Sequence, residues 1–213
     1  MPTQVKICGL TTADALDAAL AGGADYVGLV FFPPSPRAIT PGMAKILADR
    51  ARGRAKIVAL AVDPDDALLD VIVGAAAPDL IQLHGSETPD RVAEIRASWK
   101  TPVMKAIKIA TADDARSALD YRDAADLILF DACAPDNATR PGGNGAPFDW
   151  RALLGIKDQV PFMLSGGLTP DNVAEAIRAT GAGLVDVSSG VERRPGEKDP
   201  ELIRRFLRAA KVL

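Results

Sequence analysis

Short apolar runs alternate with longer, helix-patterned stretches along the whole chain. Residues 5–10 (VKICGL), 25–32 (DYVGLVFF), 56–62 (KIVALAV), 79–84 (DLIQLH), 103–109 (VMKAIKI), 126–131 (DLILFD), 160–165 (VPFMLS) and 183–188 (GLVDVS) have the length and side chains of strands. The stretches between them open with capping residues or a first-turn proline: Thr11-Thr12-Ala13-Asp14, Thr40-Pro41, Asp63-Pro64, Thr88-Pro89, Thr169-Pro170 and Asp199-Pro200. Gly22-Gly23 and Gly181 suit helix stops. Strands that are apolar on both faces and separated by helices predict a parallel sheet.

Two closures of such a sheet compete. An open doubly wound sheet carries a glycine-rich turn after its first strand, but here that strand runs into CGLTT, which is not GxGxxG. Eight units at about 27 residues each, near the minimum for a βα unit, favour the closed barrel. The expectation is an α/β chain forming one (β/α)8 TIM barrel, a single domain over residues 1–213, short for that fold.

Active sites of such barrels lie at the C-terminal ends of the strands. Alternation puts Lys6 and Cys8 on one face of the first strand, and Gln82 and His84 on one face of the fourth. Asp131 ends the sixth, above Leu127 and Leu129, and the eighth carries Asp186 and Ser188. Five ionisable groups, Lys6, Cys8, His84, Asp131 and Asp186, therefore meet at one mouth. A lone Cys is ordinarily a small core hydrophobe and a lone strand-end Asp a helix cap. Together on one rim they point to chemistry.

Ser165-Gly166-Gly167-Leu168 follows the seventh strand, and Ser188-Ser189-Gly190 follows the eighth. Glycines let backbone N–H groups approach an anion, and these two loops are the usual phosphate site of a barrel. A phosphorylated small-molecule substrate follows. Arg37 lies in FFPPSPRAITP, a loop stiffened by prolines, where it is either a bidentate carboxylate clamp or a solvated loop residue. Residues 132–147 (ACAPDNATRPGGNGAP) form the longest irregular stretch, a candidate lid or binding loop. Lys45, Lys56, Lys157 and Lys211 read as solvated helix faces, and Trp99 and Trp150 as packing on the barrel wall. Cys133 has no assigned role.

Composition narrows the partners. A formal net charge of -3 leaves no basic footprint for nucleic acid. The apolar runs are too short to cross a bilayer, and the N-terminus lacks a signal-peptide pattern, so the expected compartment is cytoplasmic. One His and two Cys without ligand spacing predict no metal site, and no cofactor motif is present. The helical faces leave monomer and homodimer open.

KICGL, GLVFFPPSPR, IQLHG, LFDA, PGGNGAPFDW, LSGGLTPDNV and VDVSSGVE, in this order, resemble N-(5'-phosphoribosyl)anthranilate isomerase of tryptophan biosynthesis over essentially the whole chain. The resemblance implies an Amadori rearrangement of N-(5-phospho-β-D-ribosyl)anthranilate to 1-(2-carboxyphenylamino)-1-deoxyribulose 5-phosphate. It also implies roles. Asp131 is the general acid on the furanose ring oxygen and Cys8, as thiolate, the base that removes the C2' proton. Arg37 holds the anthranilate carboxylate, with His84 and Asp186 as supporting polar residues. The backbone of Gly166, Gly167, Ser189 and Gly190 cradles the phosphate. A nearby ammonium favours a thiolate, so Lys6 is expected to make Cys8 a usable base. A catalytically silent phosphosugar-binding barrel is the alternative from a different class.

Overall fold

The computed structural model describes residues 2–133 and 148–211; most of the 132–147 loop, with its PGGNGAP motif and the lid suggested for it, lies outside them. Eight parallel strands close into a barrel in sequence order: β1 (Gln4–Cys8), β2 (Tyr26–Val30), β3 (Lys56–Ala61), β4 (Leu80–Leu83), β5 (Val103–Ile109), β6 (Leu127–Ala132), β7 (Phe162–Leu164) and β8 (Leu184–Val187). β8 returns to β1 in a register that pairs Lys6 with Asp186. The expected α/β barrel is therefore present, each strand within a few residues of its predicted run.

The outer layer is helical. It comprises α1 (Ala13–Ala21), α2 (Pro41–Ala51), α3 (Asp66–Ala76), α4 (Pro89–Trp99), α5 (Ala112–Arg116), α6 (Val173–Thr180) and α7 (Pro200–Lys211). Thr12, Thr40 and Thr88 accept from the backbone N–H three residues on, as predicted for N-caps. Two starts differ. Asp65, not Asp63, caps α3, because Asp63 sits at φ 45 in a turn before the helix. After β7, Thr169 does not begin a helix: its N–H is taken by Asn172 Oδ1 at 2.8 Å in a turn, and α6 begins at Val173.

The short chain closes a full barrel by shrinking the outer layer on one side. α5 has five residues and continues into a 3₁₀ turn (Ser117–Tyr121), and the described residues between β6 and β7 include a 3₁₀ turn, Trp150–Leu153. After β8 come a 3₁₀ turn (Ser189–Val191) and an antiparallel hairpin of β9 (Glu192–Arg194) and β10 (Glu197–Lys198), which the hydrophobic pattern does not predict. Lys56 opens β3 rather than lying on a helix, with its ammonium 5.3 Å from the Tyr26 ring centroid. Trp99 and Trp150 are half-buried against the wall, as expected.

The main core lies between strands and helices. Inside the barrel, Tyr26, Val58, Leu80, Met104, Ala106, Leu129 and Met163 fill the lower lumen, and Cys8, Val30 and Leu60 form a second apolar group above them. The lumen is thus plugged from below, and the polar residues gather at the C-terminal mouth.

Candidate active site

Strand alternation fixes which side chains face the lumen. Two residues above Leu129 comes Asp131, two above Met163 comes Ser165, and two and four above Leu80 come Gln82 and His84. On β1 and β8 the same alternation aims Lys6, Cys8, Asp186 and Ser188 inward. The five ionisable residues read from the sequence are therefore brought together at one end of the barrel, all of them buried.

On the β1–β8 side, Lys6 is fully buried and donates from Nζ to Asp186 Oδ1 at 2.9 Å, while Ser165 Oγ donates to Asp186 Oδ2 at 3.2 Å. Burial pulls the Lys6 amine down, but Asp186, and to a lesser degree Cys8, overcome it, so it is held above the ordinary lysine value and stays charged. Cys8 behaves otherwise. Burial pushes its thiol up, Lys6 pulls it down, Asp186 raises it again and Lys198 lowers it; the net direction is up. Lys6 acts on Cys8 in the expected sense, toward the thiolate. Lys6 offsets part of the cost of burying the thiolate; burial, with Asp186 behind it, keeps the net direction up.

On the β4–β6 side, Asp131 Oδ1 accepts from the Ala132 N–H at 3.0 Å, and Oδ2 lies 3.3 Å from His84 Nε2. The His84 approach has ion-pair distance without the alignment of a hydrogen bond. Gln82 Nε2 lies 3.1 Å from His84 Nδ1. In the closed ring, β7 and β8 separate β6 from β1, so Cys8 and Asp131 reach the mouth from different sides of the lumen.

The loops above β7 and β8 are pressed together. Gly166 has φ +87, and a Cβ there would stand 2.3 Å from Ala132 N; a Cβ on Gly190 would stand 1.9 Å from Leu168 O. Only glycine permits both approaches. No backbone acceptor among the described residues takes the N–H of Gly166 or Gly167.

Arg37 is buried, which rules out a solvated loop arginine. Its Nε and Nη2 donate to the Glu192 carboxylate at 2.7 and 2.8 Å. Gly9, at φ +77, gives it room: a Cβ there would stand 2.6 Å from Arg37 Cδ. Glu192 also accepts from Lys198 Nζ at 2.7 Å, and Lys198 donates to Ser188 O at 2.9 Å. Ser188 Oγ in turn donates to Cys8 O at 3.2 Å. One buried ionic cluster therefore joins the Arg37 loop, the end of β8, the β9–β10 hairpin and Cys8. Glu192 and Lys198 escape the hydrophobic pattern because they sit in ERRPGEKD, a polar hairpin that reads as surface.

A sequence profile described as N-(5'phosphoribosyl)anthranilate (PRA) isomerase matches residues 5–209. The chain belongs to this family. It is 61% identical over 212 residues to the N-(5'-phosphoribosyl)anthranilate isomerase of Rhodopseudomonas palustris strain BisA53, covering 100% of this chain and 97% of that one. Among solved structures it is similar to phosphoribosyl anthranilate isomerase from Thermotoga maritima, at TM-score 0.89 and 36% identity over 99% of this chain and 100% of that one. It is equally similar in coverage, at TM-score 0.86 and 34% identity, to a phosphoribosyl anthranilate isomerase in complex with reduced 1-(o-carboxyphenylamino)-1-deoxyribulose 5-phosphate. As a phosphoribosylanthranilate isomerase, the protein is an enzyme of tryptophan biosynthesis, and its barrel is the fold of those structures. No helix among the described residues is long and apolar enough to cross a membrane.

Proposed function

We propose that this isomerase carries out its Amadori rearrangement with Asp131 as general acid and Cys8 as general base. The observation that carries the reading is their placement on non-adjacent strands at the same end of one barrel, each buried beside its own polar neighbours. The reaction needs one acid and one base on different sides of a sugar ring and no redox change. Asp131 protonates the furanose ring oxygen. The C1'–O bond breaks as the anthranilate nitrogen lone pair forms a C=N bond, giving a protonated Schiff base. Cys8 as thiolate then takes the C2' proton, and the electrons of that C–H bond form the C1'=C2' bond of an enolamine, neutralising the nitrogen. Tautomerisation of the enolamine gives the ketone.

The same reading gives the surrounding residues work. Lys6, held charged by Asp186, supplies the field that lets Cys8 ionise at all. Arg37, fixed through Glu192, is aimed for the anthranilate carboxylate. His84 supports Asp131. Gly166, Gly167, Ser189 and Gly190 present backbone N–H groups to the 5'-phosphate. The ligand in the relative's complex is a phosphorylated analogue with a carboxyphenylamino group, so it carries the two kinds of anion, phosphate and carboxylate, that this reading assigns to the two sites. The Thermotoga maritima enzyme is dimeric; monomer and homodimer are both compatible with a site whose named residues lie on one chain. The cytoplasm is the compartment this reading assumes.

The test follows anthranilate fluorescence with phosphoribosylanthranilate generated in situ. Wild type quenches the signal, while Cys8→Ala and Asp131→Asn lose roughly 10²–10⁴ in kcat/KM. Turnover by either variant within a few-fold of wild type would remove that residue from the acid–base pair. No turnover by folded wild type would favour a silent phosphosugar-binding barrel.

A further inference from the structure

We propose that Gln82 is a positioning residue that fixes the tautomer of His84, so that the imidazole donates to Asp131 and leaves the Asp131 proton directed at the substrate. The inference rests on Asp131 being the general acid. Gln82 is fully buried, and its Nε2 lies 3.1 Å from His84 Nδ1. An amide nitrogen only donates, so Nδ1 is the acceptor and carries no proton. A neutral imidazole then carries its proton on Nε2, the atom 3.3 Å from Asp131 Oδ2. That contact is off line for a hydrogen bond; catalytic hydrogen bonds are commonly long without substrate and tighten with it.

The consequence is for the proton on Asp131. Oδ1 already has the Ala132 N–H against it at 3.0 Å, and the imidazole Nε2 stands 3.3 Å from Oδ2, to be drawn into line as substrate binds. A proton on either oxygen points away from these donors, into the open mouth where the sugar ring oxygen must lie. In the other tautomer, His84 Nε2 would present a lone pair. It would take the Asp131 proton in a hydrogen bond and hold it away from the sugar. The Gln82 amide prevents this. Its Nε2 contact with the imidazole is the only side-chain hydrogen bond of the Gln82 amide among the described residues. When Asp131 gives up its proton, the C1'–O bond breaks and a carboxylate remains. That carboxylate is met by the Ala132 N–H already bonded to it and by the imidazole N–H drawn into line beside it. No proton moves onto or off the imidazole.

The chain has one histidine, so a long-range ¹H–¹⁵N spectrum of the labelled full chain shows a single imidazole. In wild type, Nδ1 should have the shift of an unprotonated nitrogen and Nε2 that of a protonated one. In Gln82→Leu both shifts should move toward an average of tautomers. kcat should fall roughly 10- to 100-fold with KM unchanged, a part of what general acid catalysis supplies. In a His84→Phe background, Gln82→Leu should have no further effect on kcat. A wild-type spectrum with the proton on Nδ1 overturns the proposal, and it needs no variant to fold. An equal loss of kcat with and without His84 overturns it too. If Asp131→Asn turns over like wild type while the spectrum shows the Nε2–H tautomer, the general-acid reading fails and the tautomer assignment stands.

Discussion

Lys6 and Cys8 make opposite demands on one buried spot. The ammonium has no water and depends on Asp186 at 2.9 Å; the thiol must lose a proton in the same surroundings. Burial pushes Cys8 up, Lys6 and Lys198 pull it down, and Asp186 opposes them. Lys6→Met removes the largest downward influence, so the Cys8 midpoint should move to still higher pH. The rate of Cys8 alkylation against pH, measured in a Cys133→Ser background, reads this directly; an unchanged midpoint would dismiss the role of Lys6. The same variant strands Asp186 in the barrel with Ser165 as its remaining side-chain partner, and should lower stability by about 3–5 kcal/mol. Lys6→Met with Asp186→Leu should recover most of that in urea unfolding. At this scale the sequence made Lys6, Cys8, His84, Asp131 and Asp186 visible through alternation at strand ends. Glu192 and Lys198 stayed hidden, because burial of a charged hairpin residue depends on which distant loop covers it.

The elements show a repeated device. Asp25, Asp79 and Asp126 each stand just before an even-numbered strand and accept from the first or second residue of the strand before it. Their partners are Val5 N at 2.8 Å, Ile57 N at 2.7 Å and Val103 N at 2.8 Å. Each carboxylate thus clasps a neighbouring strand at the barrel floor, far from the catalytic mouth. Asp79→Ala should cost about 1 kcal/mol in urea unfolding and leave kcat and KM unchanged, as a lost hydrogen bond at the stability face requires. The mouth obeys another rule. Gly190 has no room for a Cβ against Leu168 O, so Gly190→Ala must spread the two loops proposed to hold the phosphate. It should raise KM and weaken competitive inhibition by inorganic phosphate more than it lowers kcat; unchanged phosphate inhibition would dismiss the cradle. Strands were legible because each is a short apolar run between turn residues. The helical layer after β5, β6 and β7 was not, because Thr-Pro and polar periodicity mark a turn as readily as a helix. Thr169 shows the ambiguity: Asn172 three residues on competes for its N–H and delays the helix.

For the whole molecule, closure of the ring makes one end structural and the other chemical, and the ionic cluster of Arg37, Glu192 and Lys198 fastens the chemical end to the last hairpin. That cluster should be visible in the stability of the entire barrel. Burial alone would raise the Glu192 carboxyl, but Arg37 and Lys198 overcome it and hold it below its ordinary value. A carboxyl lowered in the folded state contributes stability above its unfolded value and loses it as pH falls through the folded one. The urea midpoint should therefore be flat near neutrality and drop as pH falls through and below the ordinary carboxylate range. Asp17, Asp149 and Glu201 are lowered in the same direction by arginine partners, yet they lie in solvent, where screening leaves such pairs little weight. Glu192→Gln should accordingly lower the neutral plateau and flatten the acid limb, because Arg37 and Lys198 lose a buried counter-charge that no longer titrates. Asp149→Asn should do neither. Equal flattening by the two variants would mean that acid unfolding reports surface charge, and that the cluster beneath the mouth is not what couples the site to the fold.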